Sequence, residues 1–282
     1  MKDICASCTG FDYESPKLSS KDKKPLWLSK KDYVEEFINS TPVSSNKRQK
    51  QTNQKIQVNA DKKLAGLKVL YWAAEPDSTM KIQGAKKAYG EFSNHGTCVI
   101  GKNGSFIAHL NCPQNYKTTQ KNSKREESFY RHLHFVVENK KAETKCWNEQ
   151  IYTQIIVCDV THECVNYVTK NKCCFLLNVL PCGYYGMKHI PNSYNLPVAD
   201  IKKMSKRDIE CWLEEVCHMN FPVLSKALKK GIIKCDEIPI ICYCANKNCG
   251  AGMNGSIELL KKGFIRVDHY AGGVDEYYSK YM

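Results

Sequence analysis

The residues best suited to chemistry lie near the C-terminal end of the chain, at Cys244 and Cys249. Cys244 follows an apolar run, residues 238–243, that reads as a buried strand. A polar, Gly-containing loop comes next: Ala245, Asn246, Lys247, Asn248, Cys249 and Gly250. Beyond it, Met253, Ile257 and Leu260 recur on one helical face. At a junction of strand, tight loop and helix N-terminus, backbone amides and the helix dipole both favour negative charge. A thiol there is expected to ionise readily, which makes Cys244 a candidate nucleophile. The competing reading is a structural cysteine after a core strand, which is how Cys242 is read. Cys249 either resolves an oxidised Cys244 by forming a disulfide or is a bystander. Lys247 either docks an anionic substrate or is a solvated loop lysine.

A second group stands earlier in the chain. His132 and His134 form a His-x-His on a strand-like run, and a side-chain period of two puts both imidazoles on one face. That is a workable pair of metal ligands, and Tyr116 is a third candidate. Cys5-Ala-Ser-Cys8 is a CxxC, but no second pair follows at zinc-finger spacing, so no metal is expected there.

These residues need elements to hold them. The chain has 282 residues, long enough for two domains beyond an N-terminal segment. Residues 1–63 read as that segment: a short amphipathic helix opened by Ser29 and Asp32, then an apolar-poor linker over 41–63. Residues 64–158 carry short strand-like runs with turn residues between them, which predicts a β-sandwich. Gly101-Lys-Asn-Gly104 between two such runs reads as a hairpin. Residues 159–282 alternate strands and helices, which predicts a parallel sheet with helices on both faces. One of those helices opens on a capping box, Ser205-Lys-Arg-Asp208.

The net charge is +13, nearly all from lysine; the arginines are Arg48, Arg125, Arg131, Arg207 and Arg266. Lys-rich charge with so few arginines reads bases poorly, so no specific nucleic acid is expected. No run is apolar enough to span a bilayer, and no secretory signal opens the chain. With 16 cysteines this points to a reducing intracellular compartment, taken as the cytoplasm.

Three separated motifs carry a family resemblance. They are Phe175-Leu-Leu-Asn-Val-Leu-Pro181 with its later His189-Ile-Pro-Asn-Ser-Tyr-Asn-Leu-Pro197, the segment around Cys244, and Val267-Asp-His-Tyr-Ala-Gly-Gly273. In this order they resemble rhodanese-like sulfurtransferases over residues 160–282. The resemblance implies a Cys244 persulfide, cradled by residues 245–250. It also implies a small anionic sulfur donor such as thiosulfate, a thiol or cyanide acceptor, and no cofactor. Asn178, Leu180 and Pro181 stand where the family commonly carries Asp-Val-Arg-x, so its Asp and Arg are absent, as in a subgroup. Phosphatases on a similar fold end this loop with an arginine; residues 244–260 have none. A non-catalytic interaction module is the remaining alternative.

The front half resembles the core of intradiol ring-cleaving dioxygenases, on Val69-Leu-Tyr-Trp72, Cys112-Pro-Gln-Asn-Tyr116, Arg131-His-Leu-His-Phe135 and Tyr152-Thr-Gln154. Members hold ferric iron with two Tyr and two His, which implies iron at Tyr116, His132 and His134. The other tyrosine belongs soon after the Trp strand, where this chain has Glu75-Pro-Asp-Ser-Thr-Met80. Tyr89 lies further on, and the ligand set is incomplete as a sequence pattern.

Overall fold

Gln54–Asn59 (β1) opens the computed structural model, which describes residues 52–77, 79–119, 126–143, 146–148 and 150–279. Cys5, Cys8, the helix expected after Ser29 and residues 41–51 lie outside the described residues. The chain continues through Lys68–Ala73 (β2), Gln83–Gly84 (β3), Ala85–Tyr89 (α1), His95–Val99 (β4) and Ser105–Leu110 (β5). Tyr116–Thr119 (β6), Glu126–Phe129 (β7), His132–Val137 (β8) and Tyr152–Ile155 (β9) follow. The described residues up to Ile156 form one compact unit, and those from Val157 form another.

β1 corrects the expectation of a linker over residues 41–63. Few apolar residues occur there, but two suffice: Val58 is fully buried, and Ile56 packs against the same core. The backbone does the rest, pairing antiparallel with β5 from Gln54 opposite Leu110 to Asn59 opposite Ser105.

β2 is the centre of this unit. It is flanked by β4 and β8, with β9 outside β8, all antiparallel. Its alternation serves two cores. Val69, Tyr71 and Ala73 meet Val58, Phe106, Ala108 and Leu110 of the β1–β5 pair. Leu70 and Trp72 meet Tyr89 of α1, Tyr116 of β6 and Phe129 of β7.

The hairpin expected at residues 101–104 is half right. The turn exists: the Gly101 N–H donates to Ser105 O at 2.8 Å and the Gly104 N–H to Gly101 O at 2.9 Å. Its two strands nonetheless enter different sheets, β4 beside β2 and β5 beside β1. Gly104 explains the parting. Its φ is +80°, and a Cβ there would lie 2.7 Å from Lys62 N, so only glycine lets the β1 end close on it. The Ala60 N–H then donates to Gly104 O at 2.8 Å.

The second unit contains His162–Asn171 (α2), Phe175–Asn178 (β10), Cys182–Met187 (α3), Tyr194–Asn195 (β11), Val198–Lys203 (α4) and Lys206–Asn220 (α5). Then come Pro222–Lys229 (α6), Ile240–Tyr243 (β12), Ala251–Lys261 (α7), Val267–Tyr270 (β13) and Gly273–Ser279 (α8). The sheet order is β11-β10-β12-β13, parallel throughout, as the alternation of strands and helices predicts. On one face Leu176, Ile241, Tyr243 and Tyr270 pack with Val165 and Val168 of α2 and with Val274 and Tyr277 of α8. On the other, Phe175 stacks near Trp212 of α5 and Phe221, with ring centroids 5.3 and 5.1 Å away. The capping box is present: the Asp208 N–H donates to Ser205 Oγ at 3.2 Å, and the Ser205 N–H donates to the Asp208 carboxylate at 3.1 Å. Among the described residues no helix is long and apolar enough to cross a membrane.

The status of β1 gives the first prediction. Val58→Ala removes a fully buried side chain and should cost about 2 kcal/mol. Urea unfolding followed by fluorescence should show a lower midpoint with an unchanged slope. An unaltered midpoint would mean that β1 is frayed in solution.

Candidate functional site

β12 runs between β10 and β13, and the chain leaves its C-terminal end at Cys244. Two interactions fix what happens next. The Val274 N–H donates to Cys244 O at 3.1 Å, and the Asp275 N–H donates to Ala245 O at 2.9 Å. These bonds draw the backbone against the start of α8, an approach that requires Gly273. Its φ is +58°, and a Cβ there would collide with Cys244 O and Ala245 C. Gly273 thus sets how closely α8 approaches the end of β12. The loop is also held by its own side chains. Asn246 Nδ2 donates to Asp275 Oδ2 at 2.9 Å, and the Asn248 N–H donates to Asn246 Oδ1 at 3.1 Å.

The Cys244 side chain turns towards α7 and is fully buried. Its thiol donates to Cys249 O at 3.0 Å, with Asn246 O further off at 3.8 Å. The backbone amides of Gly252 and Asn246 also reach the sulfur. This corrects two expectations. The amide of Cys249 does not serve the sulfur; it donates to Asn246 O at 3.0 Å, and its carbonyl faces Cys244 instead. Nor is the resting thiol acidic. Burial pushes the Cys244 thiol up to about 12, and a hydrogen bond with the Cys249 side chain adds to this. The amides of Gly252 and Asn246 pull the other way, but two N–H dipoles do not replace the lost hydration of a thiolate. Cys249 is half-buried within reach of Cys244, and Lys247 and Asn248 are exposed. Asn178 accepts from the Leu180 N–H at 2.9 Å and so shapes the turn after β10.

Sequence reasoning passed over two residues here. His269 on β13 is 6 % exposed, and its Nδ1 lies 2.7 Å from the Asp159 carboxylate. Since that carboxylate accepts, Nδ1 carries the proton and Nε2 is the free acceptor of the neutral ring. Nε2 is buried and has no hydrogen-bond partner among the described residues. It points at Gly252. A Cβ on Gly252 would lie 2.7 Å from His269 Nε2 and 3.3 Å from Cys244 Sγ. The ring nitrogen and the sulfur thus flank one glycine.

The cluster in the first unit is more complete than its sequence pattern. Tyr116, His132 and His134 come together, and Tyr89 of α1 joins them. This corrects the view of Tyr89 as misplaced: the short helix carries its ring back over the sheet, into the second of the two cores. Tyr89 Oη is 3.3 Å from Tyr116 Oη and 3.4 Å from His132 Nε2. Tyr116 Oη is 3.0 Å from the same nitrogen. His132 Nδ1 donates to Tyr130 O at 2.6 Å, which turns the Nε2 lone pair towards both phenols. His134 lies with its ring centroid 4.7 Å from that of His132, and its Nδ1 bonds Thr153 Oγ1 at 2.7 Å. All four residues are buried, and burial holds both phenols protonated, well above the ordinary tyrosine range.

No protein-family model matches the chain, and no curated protein matches it. Solved structures do. The human single-domain sulfurtransferase TSTD1 is 17% identical, over 44% of this chain and 98% of its own, with a TM-score of 0.31. The single-domain sulfurtransferase RDL2 of Saccharomyces cerevisiae is 12% identical, over 44% of this chain and 91% of its own, with a TM-score of 0.31. The BH2092 protein of Bacillus halodurans is 17% identical, over 44% of this chain and 73% of its own, with a TM-score of 0.32.

Proposed function

We propose that the chain is a sulfurtransferase, which moves sulfane sulfur from thiosulfate or a persulfide donor to a thiol or cyanide through a persulfide on Cys244. The observation that carries this reading is the placement of the sulfur. It leaves a central strand at the C-terminal edge of a parallel sheet, where open α/β sheets hold their ligands. There it meets two backbone amides, those of Asn246 and Gly252, the latter in the first turn of α7. A persulfide anion formed there gains both amides without needing a charged side chain. The exposed Lys247 suits an anionic donor, and Cys249 is near enough to Cys244 to resolve its oxidised form.

The test is peptide mass spectrometry after incubation with thiosulfate. Wild type should gain one sulfur on Cys244. Cys244→Ser should gain none and lose sulfur transfer to cyanide, because a hydroxyl cannot hold sulfane sulfur. Cys249→Ser should keep most of its single-turnover loading and recover poorly from peroxide. Sulfur on Cys249 in the Cys244→Ser variant, with activity kept, would overturn the assignment. A wild type that takes sulfur from no donor would support the interaction module instead.

A second reading rests on the arrival of Tyr89. Two phenols and two imidazoles in one buried cluster form a donor set suited to ferric iron, and the oxygen–nitrogen spacings of 3.0 and 3.4 Å suit ligands of one ion. Tyr89, Tyr116, His132 and His134 would hold it, and iron there would supply the Lewis-acid and redox chemistry that the dioxygenase resemblance implies. Because burial keeps the phenols protonated, binding must release protons and weaken as pH falls. Protein purified with ferric iron should carry stoichiometric metal and a tyrosinate-to-iron colour. Tyr89→Phe and His132→Ala should bleach it. Colourless, metal-free wild type would remove this reading and leave the sulfurtransferase proposal untouched.

A further inference from the structure

The Proposed function leaves one step without an agent. A buried thiol that donates to a carbonyl must lose its proton before it can attack sulfur, and neither Asn246 nor Gly252 can take one. We infer that His269, oriented by Asp159, is the proton acceptor for Cys244, and that Gly252 lacks a side chain so that the two can meet. This inference rests on Cys244 being the reactive thiol.

Three features of the geometry support it. The first is the direction of the ring. Asp159 fixes the Nδ1–H tautomer at 2.7 Å, so the basic lone pair is at Nε2, on the side of Cys244. The second is vacancy. A buried ring nitrogen without a partner costs free energy, and His269 Nε2 has none among the described residues. The third is Gly252. This glycine sits in a helix, where it costs about 1 kcal/mol relative to alanine, and its φ does not demand it. Its place is explained by what a Cβ would strike, which is His269 Nε2 and Cys244 Sγ together. The groups around the ring are few. Cys242 and Cys244 approach from β12, Gly252 from α7, and Asp159 from the segment before α2; Asp268 and Tyr270 flank it on β13. Of these, only Asp159 bonds the ring, and its exposed carboxylate stabilises the imidazolium once formed.

The step balances. The proton of Sγ passes to His269 Nε2, directly or through one water, and leaves a thiolate beside an imidazolium. With thiosulfate as donor, the thiolate attacks the outer sulfur. A Cys–S–S bond forms, the S–S bond of thiosulfate breaks, and sulfite departs with the bonding pair. The persulfide anion then lies beside the imidazolium and the two amides. An acceptor thiolate or cyanide takes the outer sulfur, and the Cys244 thiolate recovers its proton from His269.

The experiment compares wild type, His269→Gln, Asp159→Asn and Gly252→Ala as full chains. The Cys244 peptide is followed by mass spectrometry during alkylation with iodoacetamide, from pH 6 to 10. Alkylation reports the thiolate whether or not sulfur transfer occurs, so it judges His269 even if the Proposed function fails. His269→Gln should slow alkylation at pH 7 at least tenfold, with the gap closing as hydroxide takes over the proton. Asp159→Asn, on an exposed side chain that can change without disturbing the core, should slow it three- to tenfold with the same convergence. Gly252→Ala should behave as His269→Gln. Thiosulfate loading should follow the same order. Rates within twofold of wild type for both His269→Gln and Asp159→Asn would overturn the inference, and so would a gap that stays constant with pH. Wild type that alkylates as expected but takes no sulfur would refute the Proposed function alone.

Discussion

Two backbone hydrogen bonds, from Val274 and Asp275 to the carbonyls of Cys244 and Ala245, decide how the second unit presents its chemistry. A strand that ends in a parallel sheet leaves its last carbonyls unpaired, and buried carbonyls need donors. The first amides of α8 supply them. Because those carbonyls turn to α8, the Cys244 side chain must turn the opposite way, towards α7 and His269. Gly273 alone permits the approach, since any side chain at its φ of +58° would occupy the space of Cys244 O. A comparable closeness recurs at Gly255, where a Cβ would lie 2.7 Å from Val179 Cγ1. The glycines of this region set distances between elements rather than supplying flexibility.

That closeness has a cost in reactivity. Full burial removes the water that stabilises a thiolate, and the thiol rests up at about 12. The neighbouring Cys242 is pushed to a similar value chiefly by burial, with a hydrogen bond from the Ser256 hydroxyl pulling the other way. Cys244 differs in having amides on one side and an imidazole across Gly252. Burial also guards a resting sulfur from solvent oxidants, because oxidation follows thiolate character and exposure. A buried, protonated thiol with a base at hand is therefore protected until that base acts.

What was legible in the sequence was what is encoded locally. The strand before Cys244, its loop, the capping box at Ser205 and the strand–helix alternation all depend on residues a few positions apart. What escaped depends on contacts across the chain. Asp159 and His269 are 110 residues apart, and only the parallel bridge between them brings them together. Tyr89 reaches His132 across 43 residues on a five-residue helix too short to show periodicity. β1 depends on its partner strand β5, which composition does not show, and a turn does not say which sheet each of its arms enters. The acidity of Cys244 is hidden for a related reason. Amides and a helix dipole can be read from a motif, whereas the depth of burial that outweighs them cannot.

The two histidine clusters show how one second contact sets an imidazole's use. In both, Nδ1 carries the proton and Nε2 is the acceptor. His132 donates to the backbone carbonyl of Tyr130, a neutral dipole that fixes the tautomer and offers little to a positive ring. His269 donates to a carboxylate, which fixes the same tautomer and also stabilises the imidazolium. The partners of Nε2 match. His132 faces two phenols that burial keeps protonated, so both can donate to its Nε2. His269 Nε2 faces a glycine and a thiol, with no competing hydrogen bond among the described residues. Carbonyl against carboxylate behind the ring is thus the difference between an imidazole whose tautomer alone is fixed and one whose protonated form is stabilised as well.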